Sequence, residues 1–142
     1  MKEIRLCHTE KETIEYAAQI AQSLKGGEIF ALAGPLGCGK TTFVKGLALG
    51  MQIHQTVTSP TFNLVHRYGG GRLALIHYDL YRLKKIQELE ATDLETEMGQ
   101  NHVIAIEWPQ LAEPLLPSER TRHVEFQETA RQEWQLTLAF NN

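Results

Sequence analysis

The sequence has no concentrated run of lysine and arginine: its 14 basic residues are scattered among 17 acidic ones, for a net charge of −3. A protein that grips nucleic acid by its phosphates needs a clustered basic footprint, so direct, tight binding of DNA or RNA is not expected. No apolar stretch approaches the roughly 18 residues needed to span a bilayer, and the opening segment MKEIRLCHTEKE has no apolar signal region. These gaps predict a cytoplasmic protein with no membrane partner. Cysteine is scarce, with Cys7 and Cys38 in no metal-binding or CxxC spacing, and Cys38 lies inside a glycine-rich loop, so a disulfide is not expected. The six histidines form no HExxH or i, i+4 pair, which argues against a zinc site. No internal repeat or low-complexity linker divides the chain. Its 142 residues, 42% hydrophobic, suit one domain over residues 1–142 with its own core.

Glycine, by contrast, is gathered in one place. The stretch GPLGCGKTT comprises Gly34, Pro35, Leu36, Gly37, Cys38, Gly39, Lys40, Thr41 and Thr42. Glycine admits backbone angles closed to other residues, so such a turn can aim several N–H groups into one anion-binding concavity. The spacing from Gly34 to Gly39, Lys40 and Thr41 fits the phosphate loop of nucleotide-binding proteins, where backbone amides cradle phosphates, the lysine reaches the terminal ones and the hydroxyl serves Mg²⁺. The flanks agree. An apolar run, EIFALA, precedes the loop as a buried strand would, and TTFVKGLALG follows with Phe43, Val44, Leu47 and Ala48 on one helical face. The thiol of Cys38 either faces the phosphate site, so that a thiol reagent blocks nucleotide entry and prior nucleotide with Mg²⁺ protects it, or points away and is inert.

Elsewhere the pattern alternates helix and strand. Thr9 and Glu12 form a capping box for a helix that stops at Gly26 and Gly27. TVTSPTFNLVHRY predicts a turn at Ser59 and Pro60, then an extended run to the glycines at 69–71. RLALIHYDLYRL reads as a strand, KKIQELEATDLETEM as helical, HVIAIEWP as a buried strand stopped by Pro109, and RHVEFQ and WQLTLAF as two further strands. The fold class expected is α/β: a single P-loop domain, a central, mainly parallel sheet flanked by helices, and antiparallel strands near the C-terminus.

Two of these strands end in an acid. LALIHYD closes on Asp79 in the form of a Walker B strand, and HVIAIE closes on Glu107. Nucleotide hydrolysis needs a carboxylate near the metal and often another to orient water. Ligands of parallel sheets sit beyond the carboxyl ends of the strands, so both acids reach the loop if their strands flank it; otherwise each is a solvated strand end. His77 shares a face with Asp79 by strand alternation and either orients that acid or packs. Trp108, held extended by Pro109, belongs either to the core or beside the nucleotide. Ser59 and Thr61 offer hydroxyls in a loop of the kind that senses a γ-phosphate. Arg82 is placed to reach phosphate or to cap a strand end.

The motifs GPLGCGKTTF, TSPTF, HYDLYR and EWP, in this order over nearly the whole chain, resemble the TsaE (YjeE) family of bacterial P-loop ATPases. The resemblance implies ATP and Mg²⁺ as cofactors and a role in threonylcarbamoyladenosine modification of tRNA. It implies that Gly34 to Thr42 hold the phosphates, that Thr41 and Asp79 serve the metal, that Thr61 lies in a switch-like loop, and that Glu107 and Trp108 belong to the active centre. Together with the strand-end argument, Lys40, Asp79 and Glu107 become the catalytic candidates and Thr41, Asp79 and Glu107 the metal candidates. The partners implied are the TsaB and TsaD proteins, with tRNA met only through their complex. The chain departs from many members at Pro35, where aspartate is common, at Cys38, where alanine is common, and at Gln87 and Asp93. Absence of NKxD and of DxxG after Asp79 favours ATP over GTP. The competing class is a small P-loop kinase for a nucleoside or metabolite.

Overall fold

The short apolar run before the glycine loop becomes the centre of the sheet. The structure, a computed structural model, describes residues 1–140. In chain order the elements are β1 (Lys2–Cys7), α1 (Glu10–Ala21), β2 (Ile29–Ala33), α2 (Lys40–Gly50), β3 (Val65–Tyr68), β4 (Leu75–Asp79), α3 (Ile86–Glu90), α4 (Leu94–Met98), β5 (Val103–Glu107), β6 (Thr121–Glu128) and β7 (Trp134–Phe140). Two short 3₁₀ turns, Pro109–Leu111 and Glu113–Leu115, follow β5. All seven strands form one sheet in the order β1-β7-β6-β2-β5-β4-β3. The four central strands β6, β2, β5 and β4 are parallel, while β7, β1 and β3 pair antiparallel at the margins. This is the expected α/β class.

The period-two rule sorts the central strands onto two faces. Phe30 and Leu32 of β2, Leu75 of β4, Val103 and Ala105 of β5, and Val124 and Phe126 of β6 share a core with Tyr16 and Ala17 of α1 and Phe43 and Leu47 of α2. Ile29, Ile76, Tyr78, Ile104 and Ile106 face the other way, onto Leu89, Leu94 and Met98. Continuing the first alternation, His77, Asp79 and Glu107 fall on the same face as α2, the helix that opens with Lys40.

Helices α1 and α2 pack closely because α2 carries glycine where they cross. A Cβ built on Gly46 lies 2.5 Å from the Ile14 carbonyl oxygen and 2.6 Å from the Ala17 Cβ. Alanine is the better helix former by about 1 kcal/mol, but a clash against backbone in a filled core costs about 1–3 kcal/mol and wins. Gly46→Ala is therefore expected to lower stability, checked as a lower denaturant midpoint at unchanged m-value.

Three local expectations change. The N-terminal strand β1 was not anticipated: it is an edge strand whose apolar Ile4 and Leu6 are exposed, so it carries no buried alternation. The extended run after Pro60 shrinks to four residues of β3, because Leu64 N–H bonds the Pro60 carbonyl at 2.6 Å and Leu64 takes φ 67°, closing a turn. The helical stretch after Arg82 breaks into α3 and α4 at Thr92, whose hydroxyl donates back to the Leu89 carbonyl, and at Asp93, which takes φ 58°.

Candidate functional site

The loop from Gly34 to Gly39 connects the end of β2 to the first turn of α2, and its three glycines are required for two reasons. Gly37 and Gly39 take φ 77° and 101°, angles that L side chains rarely adopt, and a Cβ on either would stand in open space. That space is the cradle. Gly34 is needed by packing instead, since its Cβ would meet Phe126 Cβ at 2.8 Å and Cys38 Sγ at 2.9 Å. Gly39 is also the N-cap of α2 and offers no side chain to cap it, leaving the first N–H groups and the positive end of the helix directed at the loop.

Lys40 is 5% exposed. Its ammonium donates to the carbonyls of Gly34 at 2.5 Å and Pro35 at 3.1 Å, and lies 3.9 Å from the centre of the Trp108 ring. Tyr81 stacks obliquely on the same ring, with centroids 4.7 Å apart. Trp108 is not extended as expected: it takes φ 56° and ψ 61°. This left-handed residue ends β5 and starts the 3₁₀ turn at Pro109, setting the indole over Lys40.

The two strand-end acids stand in register, Asp79 on β4 opposite Glu107 on β5. Of these two strands only β5 neighbours the P-loop strand β2; β4 is one strand further out. Glu107 Oε2 accepts from the Thr41 hydroxyl at 2.7 Å and pairs with His77 Nε2 at 2.6 Å. Asp79 instead meets the loop after α2. Its Oδ2 accepts from the Thr61 hydroxyl at 2.9 Å and the Ser59 hydroxyl at 3.2 Å, and its Oδ1 from the Tyr81 N–H at 3.0 Å. His77 therefore bonds the acid of the neighbouring strand rather than Asp79.

These groups border a cavity of about 530 Å³. Leu36 to Thr42 form its floor and Ser59, Thr61, Asp79, Glu107 and Trp108 one wall. Gly34 and Pro35 do not line it, and their carbonyls hold Lys40. Arg82 does not line it either; its guanidinium stacks on exposed Phe62 at 4.2 Å. The far wall escaped the sequence reading. It combines Thr9 and Thr13 of the α1 start with Gln132 and Trp134 of the β6–β7 turn. His8 ties the two segments, bonding Glu12 at 3.2 Å and pairing with Glu133. Those carboxylates, Glu12 foremost, raise its pKa above the ordinary histidine value. The only local hint was the Thr9 cap.

Residues 7–136 match the family described as threonylcarbamoyl adenosine biosynthesis protein TsaE. The chain belongs to the TsaE family. A relative from Borreliella burgdorferi, named tRNA threonylcarbamoyladenosine biosynthesis protein TsaE, is 42% identical over 113 residues, covering 79% of this chain and 82% of the relative. Proteins of the same name from Bacillus subtilis and Aquifex aeolicus are each 40% identical, covering 80% of this chain and 71% and 81% of their own. The crystal structure of Bacillus subtilis YdiB superposes over 100% of this chain and 88% of its own, with a TM-score of 0.82 and 31% identity.

Cys38, inside the loop, points inward. Cys38 is 3% exposed, its sulfur lies against the Gly34 backbone, and it belongs to the core beneath the sheet face. Burial pushes its thiol pKa up, against a smaller lowering by Lys40. Of the two readings of Cys38, the structure favours the inert one, in which the side chain points into the core and only the backbone borders the cradle. In the native protein a bulky thiol reagent is expected to label Cys38 slowly, at the same rate with and without ATP, and rapidly only after denaturation. Mass spectrometry of labelling time courses checks this.

Among the described residues no helix is long and apolar enough to cross a membrane, and no group of three histidine, cysteine or acidic side chains is clustered as a metal cage. The groups that do converge, the Thr41 hydroxyl and the carboxylates of Glu107 and Asp79, are hard oxygen donors. They suit Mg²⁺, which keeps several waters and takes only one or two protein ligands beside phosphate oxygens.

Proposed function

We propose that this protein binds ATP with Mg²⁺ and hydrolyses it in the service of threonylcarbamoyladenosine modification of tRNA, acting on a complex of TsaB and TsaD. The observation that carries the reading is the convergence of Lys40, Thr41, Asp79 and Glu107 on one cavity floored by an open glycine cradle, in a chain whose relatives are named for that modification. In this reading the backbone N–H groups of Gly37 to Thr41 hold the β-phosphate, and Lys40 exchanges its two loop carbonyls for phosphate oxygens. Thr41 with Glu107 holds the metal site, Asp79 orders the attacking water, and the cavity wall of Thr9, Thr13 and Trp134 takes the nucleoside. Bound Mg²⁺ neutralises charge developing on the phosphoryl oxygens.

The Ser59–Thr61 loop supplies the switch. Both hydroxyls bond Asp79, and the loop carries Phe62, 79% exposed. A γ-phosphate that draws Thr61 away from Asp79 changes what this loop presents to a partner. Turnover by the isolated chain is accordingly slow, with TsaB and TsaD raising it. The test is phosphate release by the chain alone, with TsaB and TsaD, and with tRNA added. Stimulation that Thr61→Ala largely removes while ATP affinity persists supports the proposal. A phosphorylated small-molecule acceptor among the products, or fast hydrolysis indifferent to the partners, overturns it.

A further inference from the structure

His77 has no part in the loop, cradle or switch, yet it is completely buried beneath the site. We infer that His77 is a positioning residue: its imidazole donates the Nε2 proton to Glu107 and thereby holds that carboxylate in its working orientation. The inference rests on the hydrolytic reading for its consequence but not for its chemistry.

The argument begins with the two ring nitrogens. Nε2 lies 2.6 Å from Glu107 Oε2, while Nδ1 is buried with no hydrogen-bond partner among the described residues. His66, the residue in register on β3, bonds Thr58, Asn63 and Tyr68 and offers Nδ1 nothing. A proton placed on Nδ1 alone would strand a buried donor and turn the Nε2 lone pair against a carboxylate oxygen. The Nε2–H tautomer avoids both faults and strands only an acceptor. Fixing which nitrogen carries the proton through the partner of one of them is a recurrent device around carboxylate and metal centres.

The second step concerns what is held. Glu107 takes both of its protein hydrogen bonds on Oε2, one from Thr41 and one from His77. Thr41 stands in the loop–helix segment that receives the nucleotide, and its hydroxyl has a further proposed duty there. His77 lies within a central strand at 0% exposure and has no alternative partner among the described residues. It is the anchor that nucleotide binding leaves in place, and among the described residues no donor reaches Oε1.

The test pairs a spectroscopic readout with a substitution series. Long-range ¹H–¹⁵N correlation spectra of the nucleotide-free protein should show His77 as the Nε2–H tautomer, with a proton signal that moves upfield in Glu107→Gln. An Nδ1–H tautomer, or a signal indifferent to Glu107→Gln, overturns the inference. In turnover, His77→Gln places an N–H where Nε2 stood and should stay within about threefold of the parent. His77→Asn, whose N–H falls short, and His77→Leu should lose about 10–100-fold in kcat with ATP affinity changed much less. Equal losses in the Gln and Asn variants, or a folded Leu variant with parental kcat, would show that packing alone is at stake. If the parent protein has no ATP turnover, it is the hydrolytic reading that fails, and the tautomer spectrum still decides the role of His77.

Discussion

Lys40→Ala is expected to leave a folded protein that has lost about 100-fold or more in ATP turnover, the scale of removing one preorganised donor from a developing oxyanion. The ammonium sits within the loop, between two carbonyls and the indole of Trp108. Among the described residues no other lysine or arginine lines the cavity, and His8 stands at its far wall. No neighbour can substitute. The substitution also strips the Gly34 and Pro35 carbonyls of a charged donor, so a modest loss of stability accompanies it. Lys40→Met, which keeps the apolar stem against Trp108, separates the two effects: it should recover stability without recovering turnover. Isothermal titration with ATP, phosphate release and thermal unfolding on the three proteins check this, and undiminished ATP affinity and turnover in folded Lys40→Ala would remove the phosphate-loop assignment.

The second large effect divides the two acids, giving Glu107 to the metal and Asp79 to the attacking water. Glu107→Gln should weaken Mg²⁺-dependent nucleotide binding by about 10–100-fold, because Glu107 is the acid bonded to Thr41, the P-loop hydroxyl proposed for the metal. Asp79→Asn should spare binding and lose turnover. The amide can still accept from the Tyr81 N–H and donate to the hydroxyls of Ser59 and Thr61, so the loop stays tethered, but the charge and basicity needed to order an attacking water are gone. Nucleotide titrations with and without Mg²⁺, run beside single-turnover hydrolysis, read the difference. Equal loss of metal-dependent binding in both variants would return Asp79 to the metal.

Much of this site was legible because its chemistry is written locally. The glycines, Lys40 and Thr41 occupy eight consecutive positions, and positive φ at Gly37 and Gly39 is a property of single residues. Strand ends at Asp79 and Glu107 follow from apolar runs that stop at a carboxylate, and period two already set His77, Asp79 and Glu107 on comparable faces. The breaks at Leu64 and Asp93 were illegible for the opposite reason. Each is a non-glycine residue in a left-handed conformation, paid for by bonds such as Thr92 to Leu89 that no composition pattern announces. The edge strand β1 was equally silent, since it exposes the side chains that would have marked it.

By itself, then, the chain determined a phosphate loop between a buried strand and a helix, the two acids, and the α/β class, since each depends on neighbours in sequence or on a repeating pattern. Strand order decided the rest. Placing β5 between β2 and β4 gives Thr41 to Glu107 and leaves Asp79 to the Ser59–Thr61 loop. Packing of Phe126 against Gly34 leaves Cys38 pointing into the core instead of the cradle. Pairing of β7 with both β6 and β1 carries Trp134 and Thr9 to the wall facing a loop about 100 residues from one of them. Contacts between residues that distant are set by which faces must be buried together, and no stretch of local sequence records that choice.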